Sequence, residues 1–347
     1  MHAAENAVLA KMRAMYARRL TAAQFRDILG CHSMGEVAAY LKDKTPYGAY
    51  MTDNASFADI HREWLEECLR QALHRQFETL SYYAYAINAQ VYRYFVVERE
   101  VELLGRSLAL AKKHSGGILP AASPFFSKHS SVNWRAVEQA DSPQAWLAAL
   151  DGSPYYTVCA PFVSGADGTV DMVLLDQALE RYKMRLMMQL ADTAYERGPE
   201  RQALLEQLRI RVDLKNIVNL YRAGILGHQK VPTANSALIT EGGLLNTRQL
   251  QQLIGAADTA AFCAALQHTR YEGMIDLPRD GYIEHSVDRY LFRVCEHALR
   301  FTPHPSVALL SYVTLHRLEL QNVIHSIESV RYGAAETAAG MLVGIEI

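Results

Sequence analysis

Ser33-Met-Gly-Glu-Val37-Ala-Ala-Tyr-Leu41-Lys-Asp-Lys-Thr45-Pro46-Tyr47 is the stretch whose reading decides the fold, because the chain writes it three times. The second copy runs from Ser142 through Trp146 and Leu150 to Ser153-Pro154-Tyr155. A third runs from Asp258 through Phe262 and Leu266 to Thr269-Arg270-Tyr271. Each copy has a Ser or Asp suited to cap a helix, two large apolar residues one turn apart, and a turn that ends in tyrosine. The spacing predicts a short capped helix with its apolar residues turned inward and the tyrosine as an anchor.

A second element keeps the same rhythm. Glu100-Val-Glu-Leu-Leu, Asp213-Leu-Lys-Asn-Ile and Glu319-Leu-Gln-Asn-Val each follow a long amphipathic stretch. Those stretches share an apolar–acidic step at Leu65-Glu66, Leu179-Glu180 and Val287-Asp288. Two motifs recurring in one order define an internal repeat of about 110 residues, with a truncated last copy. We place the copies at residues 5–105, 106–220 and 221–347. Long helices lead from one copy into the next, so the expectation is one integrated body over 1–347, with three pseudo-symmetric lobes in a ring, funnel or plate.

Helical periodicity dominates between these motifs. Ile60, Trp64, Leu65, Cys68, Leu69, Ala72 and Leu73 share one face at spacings of three and four. Leu204, Leu205, Leu208, Val212, Ile217 and Leu220 repeat the pattern, as do Leu315, Leu318, Val323, Ile327 and Val330. Strand-like alternation is almost absent, and the fold class is all-α. Breaks fall at Thr45-Pro46, Ser115-Gly116-Gly117, Gly198-Pro199, Gly242-Gly243, 278–281 and 303–305. The Gly242-Gly243 pair reads as a turn requiring positive φ.

Composition narrows the function. Thirty-five Lys and Arg against 37 Asp and Glu leave a formal net charge of −2, which lacks the electrostatic footprint of a dedicated nucleic-acid binder. Five scattered cysteines (Cys31, Cys68, Cys159, Cys263, Cys295) form no CxxC, so they read as reduced, mostly buried thiols of a cytosolic protein. The apolar run at 306–315 is about half a bilayer span. Residues 5–20 carry the basic amphipathic pattern of a presequence, yet Glu5 and the repeat make this helix part of the fold.

The sequence offers no catalytic, cofactor-binding or metal-binding residues. It lacks a P-loop, GxGxxG, HExxH and GxSxG. His316 and His325 are nine residues apart and fall on opposite faces of one helix. His316-x-x-Glu319 and His325-x-x-Glu328 reverse the Glu-x-x-His order of di-iron bundles, so His297, His304, His316 and His325 are expected on the surface or in hydrogen bonds. Tyr82, Tyr83, Tyr85, Tyr92 and Tyr94 crowd one predicted helix with Phe95; packing is the plainer reading, a partner surface the other. Glu98-Arg99-Glu100 with Glu102 reads as a solvated helix face.

Asp213-Leu-Lys-Asn-Ile-Val-Asn-Leu-Tyr-Arg-Ala-Gly resembles the acidic-x-x-Asn…Arg signature of the C subunit of the V/A-type rotary ATPases, the family that includes the d subunit of the eukaryotic V-ATPase. The segment from Leu318-Glu319 through Asn322 to Arg331-Tyr-Gly333 resembles that family's closing motif. Residues 41–47, Gly242-Gly243-Leu-Leu and the total length fit as well. One departure is Leu103, standing where Asn216 and Asn322 stand in the later copies; the polar cap or inter-helix bond is expected to be absent there. The resemblance implies an all-α funnel at the cytoplasmic face of the membrane. It would seat the central-stalk subunits D and F on the membrane proteolipid ring and transmit torque without catalysis, in ATP-driven or ATP-producing transport of H⁺ or Na⁺. A free-standing helical-repeat scaffold is the alternative.

Overall fold

A computed structural model describes residues 2–51, 62–87, 90–112, 124–164, 169–227, 238–239 and 242–346. Ile60 and the Ser115-Gly116-Gly117 break lie outside them. In chain order the helices are α1 (His2–Tyr16), α2 (Ala22–Leu29), α3 (Met34–Lys44), a 3₁₀ turn (Pro46–Tyr50), α4 (Arg62–Ala86) and α5 (Tyr92–Lys112). Next come α6 (Pro124–His129), α7 (Trp134–Glu138), α8 (Pro143–Ala149), α9 (Pro154–Cys159), α10 (Met172–Ala194) and α11 (Pro199–Tyr221). The chain ends with α12 (Thr247–Ile254), α13 (Thr259–Ala265), α14 (Leu277–Asp280), α15 (Ile283–Phe301), α16 (Pro305–Tyr332) and α17 (Ala335–Ala339). The extended structure among the described residues is a minimal antiparallel hairpin of Val163–Ser164 with Thr169–Val170. The fold is all-α.

Contacts divide the chain into two compact units, Met1–Ala89 with Tyr271–Ile347, and Gln90–Arg270. The repeat boundary expected at 105/106 falls within α5, and that at 220/221 in the last turn of α11.

The first unit is built on α16. Its 28 residues span about 42 Å. Residues 305–313 are buried without interruption, the mark of a helix enclosed on every side. The apolar run at 306–315 is therefore a core helix. It packs against α1, α2, α3, α4 and α15. The helix α1 belongs to this core: Met12 is fully buried, and Arg13 donates to the Leu299 carbonyl at 3.0 Å and the Thr302 carbonyl at 2.8 Å, covering the end of α15. Gly333, at φ 66°, ends α16 in the left-handed conformation that glycine adopts without strain.

The second unit packs α10 against α5, α9 and α11, and α8 against α5 and α7. Trp146, Tyr155 and Phe262 have no solvent exposure. Burying side chains of this size is worth roughly 1.5–3 kcal/mol each.

The three predicted short helices form where the repeat places them. Ser33, Ser142 and Asp258 accept hydrogen bonds from the backbone N–H groups of Glu36, Ala145 and Ala261. Val37, Trp146 and Phe262 are completely buried, as are Tyr155 and Tyr271, while Tyr47 is 3% exposed. The apolar members of the shared step, Leu65, Leu179 and Val287, also face inward. Their acidic neighbours differ in company: Glu66 pairs with Arg62 and Arg70, Glu180 with Lys183, whereas Asp288 faces Glu284 and Arg317.

Candidate functional site: buried carboxylates that hold the short helices

The acidic residue that opens each copy of the second motif is buried and takes hydrogen bonds from a segment distant in sequence. Glu319, on α16, accepts from the Leu20 backbone N–H and from the Tyr47 hydroxyl, both at 3.2 Å. Leu20 immediately precedes the Thr21 cap of α2, and Tyr47 follows α3. One carboxylate thus fixes both ends of the α2–α3 pair. His316, one turn earlier on α16, stacks with Tyr47 and with Tyr312, with ring centroids at 6.4 and 5.8 Å and interplanar angles of 1° and 27°. Its Nδ1 is 3.5 Å from Glu319 Oε2. Burial and the Glu319 charge hold the Tyr47 hydroxyl well above the usual phenol range, so it stays a donor.

Glu100, on α5, repeats the arrangement in the second unit. Oε2 accepts from the Tyr155 hydroxyl at 2.7 Å; Oε1 accepts from the Ser131 N–H at 2.6 Å and the Ser130 hydroxyl at 2.7 Å. Burial first, then the Glu100 charge, raise the Tyr155 phenol far above its ordinary value. Glu100 is 2% exposed and Glu98 8%, which corrects the reading of this run as a solvated face. The helix face that looks charged in the sequence is spent on internal contacts. Only the Arg99–Glu102 pair behaves as a partly exposed i,i+3 contact.

Asp213, on α11, is the third member. It is 1% exposed and accepts from the Leu244 N–H at 2.9 Å and the Leu245 N–H at 3.1 Å, just before the Asn246 cap of α12. The two glycines before Leu244 serve different needs. Gly242 has φ 88°, the positive value expected of the pair. Gly243 is needed for space, since a Cβ there would collide with Asp213 Oδ1.

One turn after the carboxylate, two copies place an asparagine that closes a peptide-like pair. Asn216 Nδ2 donates to the Ile239 carbonyl at 2.9 Å and its Oδ1 accepts from the Ile239 N–H at 2.8 Å. Asn322 makes the same two bonds to Val343, both at 2.9 Å. Each amide satisfies the two backbone groups of one buried residue, which would otherwise cost several kcal/mol of desolvation. Leu103 occupies this position in the first copy, 2% exposed, with a side chain that can make no such pair.

A further charged cluster joins α5 to α10. Lys183 Nζ lies 2.7 Å from Glu180 and 3.7 Å from Glu98. Burial opposes the ammonium charge, but Glu180 and Glu98 outweigh it and raise the Lys183 pKa. Burial likewise works against the Glu180 carboxylate, and Lys183 and Lys215 reverse that to a net lowering.

The remaining sequence candidates separate. The tyrosine cluster lies on two helices: Tyr82, Tyr83 and Tyr85 are exposed near the end of α4, whereas Tyr92, Tyr94 and Phe95 are buried at the start of α5. His316 is buried, and so is the Nε2 atom of His325. All five cysteines are free, with Cys68, Cys159 and Cys295 buried. Among the described residues no three His, Cys, Asp or Glu side chains gather as metal ligands, and no helix is long and apolar enough to cross a membrane.

Three carboxylates, two amide clamps and three capped short helices define an all-α protein whose buried polar chemistry is directed inward. The chain belongs to the ATP synthase (C/AC39) subunit family, whose model matches residues 8–340. It is 24% identical over 324 residues to the C subunit of the A-type ATP synthase of Thermococcus onnurineus, covering 90% of this chain and 83% of that one. It is 21% identical over 321 residues to the protein of the same name from Thermococcus kodakarensis, with the same coverage.

Proposed function

We propose that this chain is the non-catalytic rotor adaptor of a V/A-type ATPase, seating the central-stalk subunits D and F on the membrane proteolipid ring at its cytoplasmic face. Family membership across residues 8–340 is the observation that carries the reading. The internal chemistry supports it. A torque-transmitting part must resist shear between its helices, and Glu100, Asp213 and Glu319 tie long helices to short ones through charge-assisted bonds. In this reading the three carboxylate-centred modules are the lobes of one pseudo-threefold funnel. Contact with a ring of identical subunits then rests on broad shape and charge complementarity, on the order of 1,600 Å² or more.

Affinity purification of the tagged chain from detergent-solubilised membranes of its own host tests this. Recovery of both the stalk subunits and the proteolipid is expected, and the pure chain should hydrolyse no ATP. Recovery of neither partner class would overturn the proposal. Solution scattering separates the two architectures, since a free-standing scaffold gives an elongated profile in place of a compact three-lobed one.

A further inference from the structure

The modules starting at Thr21 and Asn246 are built in one register. Each opens with a capping box, Thr21 with Gln24 and Asn246 with Gln249, and each first helix ends at a glycine, Gly30 or Gly255. The second helices are capped by Ser33 and Asp258. Against this shared frame the gap between the two helices is treated differently. In the first module the Tyr40 hydroxyl on α3 donates to Asp27 on α2 at 2.7 Å, so the module bridges its own gap. The corresponding residues of the later module are Ala265 and Gln252. With the phenol and the carboxylate both missing, a cleft of roughly 410 Å³ opens between α12 and α13.

The lining of this cleft is selective in its chemistry. Arg248, Gln252, Gln267 and His268 contribute polar side chains, Ala264 and Ala265 small ones, and no carboxylate is present. Among the described residues no hydrogen bond or ion pair engages the side chain of Arg248 or Gln252. His268 has φ 60°, in the left-handed region; the α8–α9 turn uses Gly152, φ 77°, at the corresponding place. An imidazole is thus held where glycine is the unstrained choice.

We propose that this cleft receives a short acidic segment of another protein, whose tyrosine fills the space left by Tyr40 and whose carboxylate pairs with Arg248. Two observations choose that occupant. The first module already seals the equivalent gap with a phenol and a carboxylate, and the lining here offers a guanidinium and carboxamides with no competing acid. The inference does not depend on the rotor reading, because a peptide can be bound whether or not the chain enters a motor.

The test is a titration of the ¹⁵N-labelled full chain with the peptide N-acetyl-Asp-Tyr-Glu-amide, followed by backbone amide shifts. Saturable shifts confined to residues 246–252 and 264–268 are expected, with millimolar affinity and about tenfold weaker binding when alanine replaces the peptide's tyrosine. The variant Ala265→Tyr with Gln252→Asp rebuilds the first module's bridge and should lose the response with its helix content unchanged. Arg248→Ala, an exposed change, should weaken binding about tenfold even if the double variant fails to fold. Shifts elsewhere, no shifts, the same shifts with acetate alone, or undiminished binding to Arg248→Ala would each overturn the proposal.

Discussion

Replacing Tyr155 by phenylalanine removes one oxygen from the core of the second unit and gives the carboxylate arrangement its sharpest test. The bond lost is 2.7 Å long, links a fully buried phenol to a carboxylate 2% exposed, and is charge-assisted. Bonds of this kind are worth about 1.5–3 kcal/mol. Glu100 keeps its Ser130 and Ser131 donors, so a loss near 2 kcal/mol is expected. Glu100→Ala should cost more, about 4–6 kcal/mol, because the Ser131 N–H and the Tyr155 hydroxyl are both stranded and a cavity remains. The double variant should fall short of the sum by about 1.5–3 kcal/mol, since the second change removes a group already without its partner. Urea unfolding followed by tryptophan emission reports on this unit through Trp134 and Trp146, and amide exchange at 130–156 localises the effect. A loss below about 0.5 kcal/mol for Tyr155→Phe, or additive single changes, would refute the reasoning.

Other perturbations address the remaining features. Tyr47→Phe breaks a longer bond to Glu319 and should cost less than Tyr155→Phe, about 1 kcal/mol, by the same urea measurement. Gly243→Ala would drive a methyl group into Asp213 Oδ1; about 2–4 kcal/mol of destabilisation is expected, with faster exchange of the Leu244 and Leu245 amides. Asn322→Leu strands both backbone groups of Val343 and should cost about 2–4 kcal/mol, whereas Leu103→Ala tests only apolar packing. Asp288 predicts a pH dependence. Burial and the adjacent Glu284 raise its pKa to about 7, so the stabilising protonated form is complete near pH 4 and is lost as pH rises through 7. Asp288→Asn should therefore be more stable than the parent at pH 8, by about 1–2 kcal/mol after screening, and indistinguishable from it near pH 4; equal urea midpoints at both pH values would exclude this account.

Short-range grammar made much of the fold readable. Ser33, Ser142 and Asp258 cap helices through contacts three residues away, and the inward spacing of Val37 with Leu41, or Phe262 with Leu266, follows from helix geometry alone. The carboxylate site was half legible. Its residues stood out as a repeated motif, and the partners did not, because Leu20 and Tyr47 reach Glu319 across most of the chain. The run around Glu100 misled for a related reason: local charge density favours a wet face, and only tertiary packing reveals Ser131, Tyr155 and Lys183 waiting for those carboxylates. Between Tyr82 and Tyr94 no proline or glycine marks the break between α4 and α5, so the sequence runs on like one helix there.

The enclosure of α16 also fixes a timetable for making the protein. Residues 2–51 pack on a helix that begins at Pro305, so on the ribosome the N-terminal segment emerges long before the surface it needs. The stretch Gln90–Arg270, made in between, is a compact unit with buried residues of its own. The helices α1, α2 and α3 thus gain this packing surface only after α16 has been made. Until residues near Glu319 leave the exit tunnel, Met12, Phe25 and Leu41 remain apolar side chains without a home, the interval in which a chaperone has most to offer.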